Sequence, residues 1–173
     1  MIKYEEIIEK GFRVIFMLKK RVEDSLTEQT YMVMHRHING YGRLFGGQLM
    51  AWIDELAGIV AVRHSSSQVT TACIDQLNFK HPVMLGETLV MIGRMTYVGT
   101  CSMEVRVDSY VEGLDGMRRP INRAYVVMVA VDEKTGRPRP VPGLMVETET
   151  QKAEWEGGIR RTQLRKQRKV EGF

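Results

Sequence analysis

Asn39-Gly-Tyr-Gly-Arg-Leu-Phe-Gly-Gly-Gln-Leu-Met-Ala-Trp-Ile-Asp54 is the stretch on which the reading of this chain turns. Its first half is rich in glycine, which permits backbone angles that other residues resist. Its second half changes character. From Gln48 to His64, the residues Leu49, Met50, Ile53, Leu56, Ala57, Val60 and Ala61 recur at three- and four-residue spacing with no proline among them. That is the pattern of a helix with one apolar side. Ser65-Ser-Ser67 ends it. Gly46 and Gly47 therefore stand where the helix begins. The first N–H groups of a helix have no internal partner, and its dipole is positive at that end. Residues without side chains let a carbonyl come close to those donors, so the place suits an oxyanion hole. Two glycines alone favour the plainer reading, a tight turn into a helix.

Asp54 adds the chemistry. It follows Gly47 by seven residues, close to two helical turns, so Gly47, Met50, Asp54 and Gly58 form one stripe. Asp is a poor mid-helix residue. On a half-buried face its charge is costly unless paired or solvated. The plain alternative is a carboxylate pointing to water and helped by the dipole. Glu55 lies about 100° round the helix and is the other carboxylate to weigh; Asp54 is preferred. Gly58 on the same stripe invites a second backbone to pack closely.

Away from the helix the period changes to two. A strand is expected in the later part of Arg21 to His37, and others at Val69–Phe79, Glu87–Val98, Cys101–Val111 and Ile121–Val131. In Cys101–Val111, Met103, Val105, Val107 and Ser109 take one side and Glu104, Arg106 and Asp108 the other. Turn signals lie between the strands, so an antiparallel meander is expected. A helix is expected over residues 1–13, with Tyr4, Ile7, Ile8 and Phe12 on one side. One apolar helix and one sheet must bury their faces on each other. The expectation is an α+β fold, a sheet of about five strands wrapped around one long helix.

The chain has 173 residues, 43% apolar, enough for one domain with a real core. Its net charge is only +4. Much of the basic excess is Arg160, Arg161, Arg165, Lys166, Arg168 and Lys169, read as a solvated charged helix or tail. No aromatic residue interleaves those charges, so nucleic-acid binding is not expected. The start of the chain lacks the bases and apolar run of a secretory signal. No apolar run approaches the roughly 18 residues that span a bilayer. A cytosolic protein with Cys73 and Cys101 reduced is expected. Twelve methionines suit an irregular apolar tunnel, although most are ordinary core filler.

The pattern Asn39-x-x-Gly42-x-x-x-Gly46-Gly47-x-Leu49-Met50-x-x-x-Asp54 resembles that of the hotdog-fold acyl-CoA thioesterases. So do Val69 to Phe79, Pro82-Val-Met-Leu-Gly-Glu87, Tyr97 to Val105, and Asn122-Arg-Ala-Tyr125. The resemblance covers about residues 27–145, which leaves residues 1–26 as an extension and 146–173 as a charged helix or tail. It implies hydrolysis of acyl-CoA, with Asp54 as general base or nucleophile. Asn39 of one subunit would serve Asp54 of another, and Gly46 and Gly47 would supply the oxyanion donors. Thr70 would lie near the site. The turn Gly99, Thr100, Cys101 and Ser102 would touch CoA, with Arg94, Arg106 and Arg123 as candidates for its phosphates. A homo-oligomer built from hotdog dimers is implied, a tetramer or hexamer among the options. No cofactor is expected beyond the CoA of substrate and product.

Phe45 departs from relatives that carry histidine before the paired glycines. That argues against a dehydratase of the same fold, which needs such a base. A non-enzymatic module that binds acyl-CoA is the main alternative, because a fold does not fix a function. His35 and His37, read as alternating on a strand, lack a third ligand, so no metal site is expected. His64 at the helix end suits the dipole as a cation.

Overall fold

The computed structural model describes residues 18–172. The helix expected over residues 1–13 lies outside the described residues. The elements are β1 (Lys19–Arg21), β2 (Thr27–Met32), a 3-10 turn (His35–His37), α1 (Gly46–Ser65), β3 (Gln68–Phe79), β4 (Thr88–Val98), β5 (Ser102–Glu112), β6 (Arg118–Val131), β7 (Gly143–Met145) and α2 (Glu149–Glu171). Strands β2 to β6 form one five-stranded antiparallel sheet that curls around α1. The α+β class and the wrapped sheet are as expected from the sequence. His35 and His37 do not alternate on a strand; they sit in the 3-10 turn.

The sheet order is β2-β4-β5-β6-β3. A meander therefore holds only for β4, β5 and β6. β3 pairs with β6 at the far edge, and β4 pairs with β2. The cause is α1. It lies across the concave face, so the strands that enter and leave it fall on opposite edges.

α1 buries Leu49, Trp52, Ile53, Leu56, Ala57, Val60 and Ala61 against Leu89, Met91, Met103, Val105, Val107, Ala124, Val126 and Met128 of the sheet. Each fully buried side chain of Leu, Ile or Val size contributes about 1.5–3 kcal/mol. This stripe holds the helix and so fixes where Asp54 points.

The outer face of the sheet is not solvent-facing either. α2 lies over it, and both sides of β5 are buried. Glu104 is 1% exposed and Asp108 2%. Asp108 receives Arg94 at 3.0 Å, Arg106 at 2.8 Å and Arg123 at 2.7 Å. Glu104 holds Arg161 at 2.8 Å and Arg165 at 3.2 Å, and Thr96 donates to it at 2.9 Å. Asp75 holds Arg165 and Arg168. Glu154 of α2 pairs with Arg106 and accepts from Tyr125. Arg161 also stacks over the Tyr125 ring, 3.6 Å from its centre. The basic run is thus not simply solvated. Arg161, Arg165 and Arg168 turn inward because carboxylates on the sheet are buried there and need partners. Gly158 lets the helix descend this far: a Cβ there would lie 2.4 Å from the Cβ of Tyr97.

Two short strands tie the ends down. β1 pairs in parallel with β7. Nearby, His64 is 0% exposed and its Nε2 donates to the Pro142 carbonyl at 2.9 Å. It is therefore no exposed cation at the helix end. Burial pulls its pKa below the ordinary 6.5, partly opposed by the Pro142 bond. Below 6.5 the unfolded chain binds this proton more readily than the folded one. Stability is then full above pH 6.5 and falls as pH drops from there towards the depressed folded pKa. Melting followed at pH 8 and pH 5.5 should show this loss, and His64→Gln should shrink it. Among the described residues, no helix is long and apolar enough to cross a membrane.

Candidate active site

The start of α1 is open. Phe45 donates its N–H to the His37 carbonyl at 2.9 Å, and its own carbonyl accepts from Gln48 and Leu49. Among the described residues, the N–H groups of Gly46 and Gly47 have no hydrogen-bond acceptor, and Phe45 offers no side-chain cap. Two rings lie against these glycines. A Cβ on Gly47 would come within 2.4 Å of Phe45 Cε1, and one on Gly46 within 3.5 Å of Phe79 Cζ. Glycine at 47 is what allows Phe45 its place.

Asn39 lies in the loop before α1. Its Oδ1 accepts from the N–H groups of Tyr41 at 3.0 Å and Arg43 at 3.3 Å. That fixes the amide and leaves its Nδ2 hydrogens to donate. Asn39 and Gly46 line one groove of about 300 Å³, with Leu44, Leu49, Phe79 and Val83, and with Arg43, Lys80 and His81 at the rim.

Asp54 sits half-buried further along the helix. Thr71 of β3 donates to its Oδ1 at 2.5 Å. Thr71 pairs with Met128, whose side chain is buried towards α1, whereas Thr70 pairs with Val129 on the opposite face and is exposed. The threonine that meets Asp54 is therefore Thr71 and not Thr70. The bulge in β3 begins after Thr71, so period-two reasoning across the whole strand gives no guide here. Glu55 is exposed and has no such partner among the described residues.

Within one protomer Asp54 and the two glycines are not together. Seven residues of helix put Asp54 about 10 Å along the axis from Gly47. They share a stripe, as the spacing suggested, but one carbonyl carbon cannot touch both.

The turn Gly99 to Ser102 joins β4 to β5 and is closed by the Gly99 N–H on the Ser102 carbonyl at 2.8 Å. Register places it at the same end of the sheet as Thr71: Thr71 pairs with Met128, Met128 with Met103, and Met103 with Val98. Two strand spacings separate Thr71 from that turn, about 10 Å. Thr100 is held by the Val141 N–H at 3.1 Å, and Cys101 is half-buried with a free thiol. The arginine candidates lie elsewhere. Arg94, Arg106 and Arg123 converge on Asp108, on the face away from α1. Arg106 is buried between Asp108 and Glu154, so its charge is already neutralised. Sequence reasoning could not foresee this, because the partners are strands and a helix apart.

Comparison with known proteins fits this geometry. Residues 41–115 match the thioesterase superfamily. An uncharacterised acyl-CoA thioester hydrolase of Bacillus subtilis is 34% identical over 148 residues, 85% of this chain and 86% of its own. A solved acyl-CoA hydrolase of Staphylococcus aureus, in complex with butyryl coenzyme A and coenzyme A, is 32% identical with a TM-score of 0.83. The match covers 89% of this chain and 94% of that one. A solved hexameric acyl-CoA thioesterase is 39% identical with a TM-score of 0.83, over 87% of this chain and 97% of that one. This chain belongs to the thioesterase superfamily, among the hotdog-fold acyl-CoA thioester hydrolases. The S. aureus enzyme has also been solved with alanine in place of an asparagine, an aspartate and a threonine. They are spaced by 15 and then 17 positions, the spacing of Asn39, Asp54 and Thr71 here.

Proposed function

We propose that this chain hydrolyses acyl-CoA to free CoA and a carboxylic acid, with Asp54 as general base. The observation that carries the reading is the 2.5 Å bond from Thr71 to one Asp54 oxygen. It orients the carboxylate and leaves the second oxygen for a water. That water attacks the thioester carbon while Asp54 takes its proton. The electron pair moves to the carbonyl oxygen, where the open Gly46 and Gly47 N–H groups receive it. Collapse expels CoA as a thiolate, which takes up the proton. A thioester is a good electrophile, so no serine–histidine pair, metal or resident cofactor is called for.

The axial separation of Asp54 from the glycines means that two copies must complete each site. In this reading Asn39, Gly46 and Gly47 of one protomer serve Asp54 of another. Two surfaces support a homo-oligomer. The outer edge of β3 has no strand beside it among the described residues. The exposed side of α1 carries Met50 and Val62, with an apolar hollow between Gly58, Ile59, Val62 and Val69. Gly58 lies in that hollow, where a second backbone can approach. CoA runs from the thioester towards the Gly99–Ser102 turn. Arg137 and Arg139, in the loop whose Val141 N–H holds Thr100, take over the phosphate role first considered for Arg106. Two free cysteines support a reducing, cytosolic setting.

The test is thiol release from acyl-CoA by purified protein, with a mixing experiment. Asn39→Ala and Asp54→Asn should each be nearly inactive alone. Co-expressed, they should regain a sizeable fraction of activity, because mixed pairs contain one intact site. No thiol release by the unaltered chain would refute the hydrolase reading. No recovery on mixing would refute the shared site.

A further inference from the structure

The groove beside Asn39 is apolar at its floor. Leu44, Leu49 and Val83 are buried there, and Phe79 forms a half-exposed wall. The Phe79 ring lies against Gly46 and the Phe45 ring against Gly47. A carbonyl oxygen held by those two N–H groups must therefore place its neighbouring carbons beside the aromatic rings. The opposite side of the thioester leads to the CoA turn, which is at the other end of α1's stripe in the register of the sheet.

We propose that this groove receives the acyl chain, and that Phe79, with Phe45, determines which acyl groups are accepted: straight chains of short to medium length. The proposal rests on the thioesterase reading above. Two observations carry it. The floor offers only apolar side chains, and no carboxylate lines the groove, so a hydrocarbon chain leaves water without desolvating an acid. The volume of about 300 Å³ stands at the small end of ligand pockets, so the groove fills after a few carbons. Arg43, Lys80 and His81 stay at the rim, clear of the floor.

The experiment is kcat/KM for a series from acetyl-CoA to dodecanoyl-CoA, in the unaltered protein and in Phe79→Ala. Each methylene that leaves water should raise kcat/KM by about fourfold until the groove is full, after which the curve should turn level or fall. Phe79→Ala should flatten that climb to under about twofold per methylene, so that the loss grows with chain length. Phe79 is more than half exposed, so the variant should fold. A uniform loss across the series would overturn the proposal. So would a flattening seen with Val62→Ala and not with Phe79→Ala, which would place the chain in the hollow beside α1. Absence of thiol release from every substrate would instead refute the reading on which the proposal rests.

Discussion

Replacing Asp54 with asparagine is expected to lower kcat for acyl-CoA hydrolysis by about 10²–10⁴-fold, the usual worth of a positioned general base. The substitution keeps shape and keeps an oxygen that can accept from Thr71. It removes only the ability to take a proton. The helix is held by Trp52, Ile53, Leu56 and Ala57, which are buried on the other side, so thermal unfolding should shift little. KM should move less than kcat, because the carboxylate acts on the water and not on the bound CoA. A variant that folds normally and retains full kcat would remove Asp54 from the mechanism. A single turnover in ¹⁸O-labelled water refines the role: a general base leaves the label in the released acid and none in the protein.

Glu104→Ala is expected to cost about 3–5 kcal/mol of stability, the range for removing one partner of a buried ion pair. Glu104 is 1% exposed and satisfies Arg161, Arg165 and Thr96 together. Without it, two guanidinium groups under α2 lose their main acceptor, although Arg165 keeps Asp75. For a chain of this size the melting temperature should fall by roughly 10 °C, at about 2–4 °C per kcal/mol. Calorimetry or circular dichroism reads this directly. Replacing Glu104, Arg161 and Arg165 together with leucines should recover much of the loss, since a well-packed apolar set can match a buried ion cluster. If Glu104→Ala melts within 2–3 °C of the parent, at the same per-kcal/mol rate, the layer does not hold α2 in place.

The fold was legible because it follows from local period. The change from a three-to-four spacing in Leu49 to Ala61 to alternation after Val69 places one helix against one sheet. The edge position of β3 was not legible, since nothing in the strand says which neighbour it takes. Asp54 stood out because a charge interrupts an apolar helix. Thr71 did not stand out. It and Thr70 are chemically identical neighbours, and only the register with Met128 and Val129 tells them apart. The arginines misled for a related reason. Arg94, Arg106 and Arg123 look like free cations along the chain, yet one carboxylate, Asp108, gathers all three. The basic residues of α2 were mistaken for a solvated face because their acids lie on strands far away in sequence. His64 looked like a helix-end cation until its environment was seen to be closed.

The bare edge of β3 also bears on how the protein must be made. A twelve-residue strand with one row of free amides and carbonyls is a template for indiscriminate pairing. A newly synthesised protomer carries this liability from the moment its sheet closes until a partner covers it. Crowding during synthesis and the speed of assembly, more than the thermodynamics of the finished molecule, then govern how much of the chain escapes aggregation.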